Sequence, residues 1–212
     1  MKKLLITSLL INNLFSIEIK QMPIKFGEKR VELTKNYIKN RYELDVKDIT
    51  IIPKIIVIHH TGINSLKNSF KRLDAEVLLS DRKYIQKASN LNVSAHFLVD
   101  RDGTIYSLMN ETDMARHVIG LNYSSIGIEN VGGQIKQDNL TVAQLEANIK
   151  LVDYLKNKYK TIEYLIGHYE YTNFVNNKLF LEKDKKYRTK KSDPGVKFME
   201  SLRKSFPNLK LN

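Results

Sequence analysis

The chain of 212 residues contains no cysteine. Without cysteine no disulfide can form and no thiolate can bind a metal. A metal site in this chain therefore has to use histidine and carboxylate side chains. The candidate ligands are five histidines and 23 aspartate and glutamate residues.

The sequence also lacks a long uninterrupted apolar run. Residues 4–11 are nearly all apolar and follow a positive start, but Asn12 and Asn13 break the stretch. A membrane-spanning helix needs about 20 apolar residues, so no stable membrane span is expected. The pattern is typical of a secretory signal peptide, predicted here over residues 1–20; a buried first helix is the alternative. The signal implies a periplasmic or secreted protein, and without it the protein would be cytoplasmic.

Internal repeats, low-complexity linkers and recognised nucleic-acid-binding motifs are all missing. The 35 lysines and arginines exceed the 23 acidic residues and give a net charge of +12. This charge favours an acidic partner, such as nucleic acid, anionic lipid or an acidic wall polymer. A soluble basic surface is the alternative, because the lysines are scattered. Aromatic residues are not interleaved with a basic stripe, so a nucleic-acid partner is not expected.

Apolar periodicity predicts alternating strands and helices. Strands are expected from Ile55 to the histidine pair, at 94–99 and 104–108 as a hairpin, at 125–131 and at 164–166. Helices are expected at 27–42 and 66–79, and from a capping box at 141–144 to about residue 159. This order indicates a single α/β domain with a central mixed β-sheet flanked by helices. We assign residues 21–50 to an N-terminal helical extension and residues 51–212 to the main domain.

Three side chains suited to metal binding lie at the ends of predicted elements. His59 ends the first apolar strand, His168 follows the strand at 164–166, and Asp193 precedes the last predicted helix. Two imidazoles and a carboxylate can bind one divalent metal, and catalytic zinc favours three protein ligands with a fourth position open. Because side chains alternate along a strand, only one of His59 and His60 can point into such a site. Histidines that are simply hydrogen-bonded at strand ends are the alternative interpretation.

The segment before the last helix carries two further predictions. Asp193 is expected to be the N-cap residue of that helix, with Pro194 at the first helical position. One carboxylate oxygen of Asp193 would then bind the metal while the other capped the helix. Residues 170–190 are polar and aromatic without a clear period, and they are predicted to form a loop.

Five motifs occur in an order that resembles a known enzyme family. They are Val57–Thr61, Val93–Val99, Ser125–Glu129, Gly167–His168 and Lys191–Gly195. Together they resemble the zinc-dependent N-acetylmuramoyl-L-alanine amidases, which include phage lysozyme-type amidases, recycling amidases and peptidoglycan recognition proteins. The resemblance covers roughly residues 51–200. It implies an enzyme that hydrolyses the amide between N-acetylmuramic acid and L-alanine in peptidoglycan or muropeptides. We expect this protein to be a monomer.

The resemblance also implies a ligand set of one Zn²⁺ per chain. The first histidine after the apolar strand is the one that matches a zinc ligand, so His59 rather than His60 is expected in the site. His168 matches the second ligand. Asp193 matches the third, which is aspartate or cysteine in the family.

Catalytic roles follow from the same resemblance. Glu129 matches the acidic residue that serves as general acid and base, and Lys191 matches a lysine expected to stabilise the oxyanion. His117 matches a histidine implicated in substrate contact. Gly127, on the same face of the strand as Glu129, is expected to leave room for substrate.

Two positions depart from the family pattern. Some relatives carry a catalytic tyrosine where this chain has Ala95, and in those relatives Glu129 has no acidic counterpart. A tryptophan often stands where this chain has Arg116, which puts the saccharide contact in question. A peptidoglycan-binding protein without catalysis is the alternative function.

Overall fold

The computed structural model of this chain describes residues 17–133 and 139–212. The predicted signal peptide at 1–20 lies almost entirely outside the described residues and stays a prediction. Within the described part, Ile17 and Ile19 pack against the hydrophobic core. None of the described helices is long and apolar enough to cross a membrane.

The described residues form six strands and five α-helices, with two additional 3₁₀ helices at Asn122–Ser124 and His168–Phe174. The elements in chain order are β1 (Lys20–Gln21), α1 (Glu28–Tyr42), β2 (Ile55–His60), α2 (Leu66–Asp74), α3 (Lys83–Gln86), β3 (Phe97–Val99), β4 (Ile105–Ser107), β5 (Ser125–Asn130), α4 (Val142–Lys158), β6 (Tyr164–Gly167) and α5 (Val196–Arg203).

The strands form one mixed sheet in the order β1-β4-β3-β5-β2-β6. Strand β2 lies between β5 and β6 and is parallel to both. Residues 55–58 of β2 are fully buried, which is typical of a parallel strand covered on both faces. Strands β3 and β4 pair antiparallel, as the turn at Asp102-Gly103 predicts. The predicted α/β fold with a mixed sheet is confirmed.

Helices α4 and α5 cover one face of the sheet. Their buried side chains, among them Leu151, Val152 and Met199, pack in one cluster with Ile56 and Ile58 of β2. On the opposite face Ile55 and Val57 pack in a second cluster, whose other buried members include Val118, Ile119, Leu121, Tyr171 and Phe174. Because side chains alternate along β2, the strand contributes residues to an apolar layer on each face of the sheet.

The predicted capping box fixes the start of α4. The side chain of Thr141 accepts a hydrogen bond from the Gln144 backbone at 3.0 Å, and the Gln144 side chain accepts one from the Thr141 backbone at 3.0 Å. The buried Gln144 amide also donates to the carbonyls of Val99 and Val131. One residue thus caps the helix and fastens it to the sheet.

Helix α2 is shorter than predicted, because it ends at Asp74 rather than near residue 79. The buried Arg30 side chain donates to the carbonyls of residues 73–75, which a continuing helix would have used. Beyond them, Val77 forms an antiparallel bridge with Leu91. Tertiary contacts therefore override the helical periodicity of this segment.

The prediction that Asp193 caps the last helix was wrong. Helix α5 begins at Val196, its N-cap residue is Gly195, and no side chain caps it. The Asp193 carboxylate instead points to two buried imidazoles, where a charge is better compensated. The loop predicted at 170–190 was wrong in part, because residues 168–174 form a 3₁₀ helix whose Tyr171 and Phe174 are buried.

Candidate active site

The candidate site lies at the carboxyl ends of three neighbouring parallel strands, β5, β2 and β6. His59 is near the end of β2 and is paired in register with Glu129 near the end of β5. His168 directly follows β6. Ligands bind characteristically at this edge of open α/β sheets. The sheet thus brings together side chains that are far apart in the chain.

The structure places His59, His168 and Asp193 around one point. The Nδ1 atoms of the two histidines are 2.9 Å apart, and Asp193 Oδ2 lies 3.3 Å from His59 Nδ1 and 2.9 Å from His168 Nδ1. Two ligand atoms about 2 Å from one zinc at the tetrahedral angle lie roughly 3.3 Å apart. The donor set and its spacing therefore fit zinc. The neighbouring His60 points elsewhere, and its ring lies against Gly133.

Burial and charge prepare these side chains for a cation. Burial lowers the pKa of His168 to about 4, so its imidazole is neutral and has a lone pair available. Burial alone would raise the pKa of Asp193, but the two histidines hold it well below its ordinary value. The site combines neutral imidazole with an ionised carboxylate.

Glu129 is a half-buried residue with one unpaired carboxylate oxygen. Its Oε2 atom is inaccessible to solvent and has no hydrogen-bond partner among the described residues. Burial raises the pKa of Glu129 to about 7, although His59 opposes the shift. A carboxylate with this pKa can both accept and return a proton near neutral pH.

Two cationic side chains lie close to Glu129. Burial lowers the pKa of Lys191, while the charges of Asp193 and Glu129 oppose that effect. Burial and the charge of Arg72 lower the pKa of Arg82, whose guanidinium in turn acts on Glu129. Arg82 was missed in the sequence, because it lies in a charged segment before α3 without a distinguishing motif.

These groups line one cavity of about 700 Å³. Its wall carries the positive side chains Arg72, Arg82, Lys83 and Lys191. Tyr84 and Tyr187, also in the wall, stack at 5.9 Å between ring centroids. The cavity therefore offers cationic and aromatic surface next to the candidate metal ligands.

His117 is buried directly behind His59. Its Nδ1 atom lies 2.9 Å from His59 Nε2, and its Nε2 atom lies 3.1 Å from Ser125 Oγ. The expectation that Gly127 leaves room for substrate was wrong, because its open side is filled by His117. A Cβ atom at Gly127 would lie 2.7 Å from His117 Nδ1.

Arg116, at the position where relatives often have tryptophan, is also buried. Its guanidinium donates to the backbone carbonyls of Ile85, Ser89 and Leu91 and lies over the Tyr37 ring at 5.2 Å. It fixes the segment after α3 and is committed to protein groups. Ala95, at the position of the family's tyrosine, is fully buried.

A family model described as N-acetylmuramoyl-L-alanine amidase matches residues 50–196, more than half of the chain. The chain belongs to this amidase family. The match spans every candidate metal-binding, catalytic and substrate-contact residue predicted from the sequence.

Individual relatives are more distant. The endolysin of Klebsiella phage KP32 is 32% identical over 93 residues, which cover 42% of this chain and 61% of that endolysin. The chain thus spans less than two thirds of the length of this curated relative. The solved amidase LysC of Clostridium intestinale URNW has a TM-score of 0.56 at 21% identity, covering 92% of this chain and 100% of LysC.

A recognition protein shares the fold as well. Human PGRP-IBETAC, solved in complex with glycosamyl muramyl pentapeptide, has a TM-score of 0.52 at 19% identity. The match covers 76% of this chain and 88% of that protein. At these identities both solved structures establish the fold.

Proposed function

We propose that this protein is a zinc-dependent N-acetylmuramoyl-L-alanine amidase that cleaves the amide between the lactyl group of N-acetylmuramic acid and L-alanine. The observation that carries the proposal is the convergence of His59, His168 and Asp193, whose ligand atoms all lie within 4.8 Å of one another. Beside them, the Oε2 atom of Glu129 has no hydrogen-bond partner among the described residues. Family membership supports the same chemistry.

The three converging side chains would hold the metal. Zinc, when bound, lowers the pKa of water to about 7 and polarises a carbonyl. Glu129 would take the proton of the attacking water and pass it to the leaving amine nitrogen. Such acid–base help is typically worth about 10² to 10⁴ in rate. The raised pKa of Glu129 suits both transfers.

Lys191 would stabilise the negative charge that develops on the amide oxygen. Its side chain lies in the cavity wall and shares its electrostatic environment with Glu129 and Asp193. A single donor aimed at an oxyanion is worth about 3 to 4 kcal/mol in known cases. Lys191 is thus the second catalytic residue of the proposal.

The cationic cavity wall supports an anionic substrate. Peptidoglycan stem peptides carry carboxylates, and the chain has a net charge of +12. Steering of an acidic polymer by such a surface raises the association rate and weakens with salt. We place the activity at the cell wall, in agreement with the relation to a phage endolysin.

Product analysis tests the proposal. Purified sacculi and a soluble muropeptide are incubated with the zinc-loaded protein, with the protein plus a chelator, and with the chelated protein after zinc is restored. Mass spectrometry should show stem peptides with a free L-alanine amine, lost on chelation and regained with zinc.

Two results would count against it. Sacculus binding without peptide release would favour the non-catalytic binding protein. Release that is unaffected by the chelator would remove the metal from the mechanism.

A further inference from the structure

Behind the candidate zinc ligands lies a chain of hydrogen bonds that ends on the backbone of β5. It runs from His59 through His117 to Ser125, and all three side chains are buried. The distances are 2.9 Å from His59 Nε2 to His117 Nδ1 and 3.1 Å from His117 Nε2 to Ser125 Oγ. Because these side chains are buried, their ring and hydroxyl protons are arranged mainly by protein groups.

Ser125 determines which atoms donate and which accept in these hydrogen bonds. Its hydroxyl donates to the Leu121 carbonyl at 2.8 Å, so its oxygen offers a lone pair to His117. The Ser125 carbonyl, which can only accept, also faces His117 Nε2 at 3.4 Å. His117 Nε2 therefore carries the proton. A neutral imidazole has one N–H, and consequently His117 Nδ1 is an acceptor.

This acceptor determines the tautomer of His59. With His117 Nδ1 unprotonated, the 2.9 Å contact requires His59 Nε2 to be the donor. His59 Nδ1 is then unprotonated and directs its lone pair toward His168 Nδ1 and Asp193 Oδ2, at 2.9 and 3.3 Å. This is the atom and the protonation state that metal binding needs.

The surrounding backbone holds His117 in this position. Asn122 Oδ1 accepts from the backbone N–H groups of both His117 and Val118, at 2.9 and 2.8 Å. Gly127 provides the space for the ring, since any side chain there would meet it. The position of His117 is therefore built by two separate features of the fold.

We infer that His117 is a positioning residue that holds His59 in the metal-binding tautomer through the Ser125–His117–His59 relay. The role rests on the proposed zinc site and deepens it. It takes the place of a direct hydrogen bond from His117 to substrate, because both ring nitrogens are engaged by protein groups. Partners of this kind typically change metal affinity by about 10 to 100-fold when they are removed.

The first test uses the metal-free wild-type protein. Long-range ¹H–¹⁵N correlation spectra of histidine-labelled protein distinguish protonated from unprotonated ring nitrogens. We expect both His59 and His117 to carry the proton on Nε2. A proton on Nδ1 of either ring would overturn the relay. This result does not depend on zinc, so failure of the zinc proposal and failure of the relay remain distinguishable.

The second test measures zinc affinity by competition with a chelator. His117→Phe keeps a ring but removes the acceptor, and its zinc Kd should rise about 10 to 100-fold. His117→Asn keeps an acceptor near the Nδ1 position and should retain most of the affinity. An unchanged Kd in folded His117→Phe, or equal losses in both variants, would overturn the inference.

His96→Phe is the matched control. His96 is also fully buried, and its ring lies 6.0 Å from that of His117, but its nitrogens contact the Gly127 N–H and the Asp113 carbonyl. The same substitution there should lower stability and leave the zinc Kd unchanged. A loss of affinity as large as that of His117→Phe would show a general packing effect and contradict the relay.

Discussion

Two glutamates differ in how the fold pairs their carboxylate oxygens: Glu182 is buried, and Glu129 is half-buried. Glu182 is bound by the Arg41 guanidinium through both oxygens, at 2.6 and 3.1 Å, and also accepts from the Asp184 backbone. Glu129 has an oxygen with no hydrogen-bond partner among the described residues. The first carboxylate braces the structure, and the second is the group that we propose transfers the proton. Leaving a buried carboxylate oxygen without a partner costs free energy, and the unpaired oxygen of Glu129 lies where chemistry is proposed.

The Arg41–Glu182 ion pair, called the brace below, also supports the candidate site from a distance. Arg41 lies near the end of α1, and its guanidinium sits 4.6 Å from the centre of the Tyr187 ring. Tyr187 belongs to the cavity wall. The Arg41–Glu182 pair thus joins the N-terminal helix to the stretch that closes one side of the cavity. Substitutions around Glu182 should therefore change mainly the stability of the fold, and substitutions around Glu129 should change mainly zinc binding and hydrolysis.

The largest effect is expected from His168→Ala. Removing one of three ligands should abolish stoichiometric zinc binding and, with it, amide hydrolysis. Zinc content by atomic absorption and peptide release from sacculi measure the two losses. His60→Ala, one residue from a ligand but directed elsewhere, should keep its zinc. Full zinc occupancy in His168→Ala would place the metal somewhere else.

The second-largest effect is expected from breaking the ion pair between Arg41 and Glu182. Arg41→Met leaves the Glu182 carboxylate buried without its partner, which should lower the free energy of unfolding by about 3 kcal/mol. Zinc stoichiometry of the folded protein should not change. Urea denaturation measures the loss.

A matched control is available close to the brace. Lys183 and Glu43 form an exposed pair 3.8 Å apart, and Lys183→Met should change stability little. The double variant Arg41→Met/Glu182→Leu should recover most of the loss, because no charge is then stranded. Equal destabilisation by Arg41→Met and Lys183→Met would mean that the buried pair has no special role.

The smallest effect is a gain in stability that depends on pH. In the metal-free protein the pKa of Glu129 is raised from 4.5 to about 7 by burial. The folded state therefore keeps a proton that the unfolded state releases, and stability is lost as pH rises from the ordinary pKa to about 7. Glu129→Gln removes this penalty. It should be more stable than wild type at pH 8, with a smaller difference at pH 5. A difference independent of pH would contradict the raised pKa.

Local patterns in the sequence predicted much of the fold. The β-branched run of β2 and the capping box at Thr141 depend on neighbouring residues, and both are found as expected. The candidate ligands were also predicted, since each follows or precedes a recognisable element and five motifs agree with one family. The structure brings these ligands together.

Contacts between distant parts of the chain were not predictable. Arg41 and Glu182 are 141 residues apart, and nothing in either local sequence indicates a partner. Arg116 and Arg30 look like surface residues, yet they are buried against backbone carbonyls. Asp193 had the local pattern of a helix cap, but two imidazoles from other elements determine its orientation. In each case a tertiary partner decides what the local pattern leaves open.

The central claim is that Glu129, beside a zinc ion held by His59, His168 and Asp193, transfers the proton in amide hydrolysis. The most direct measurement compares zinc-loaded Glu129→Ala with wild type for stem-peptide release from sacculi. We expect one zinc per chain in both proteins and a rate at least about 100-fold lower in the variant. Release at the wild-type rate by zinc-loaded Glu129→Ala would contradict it.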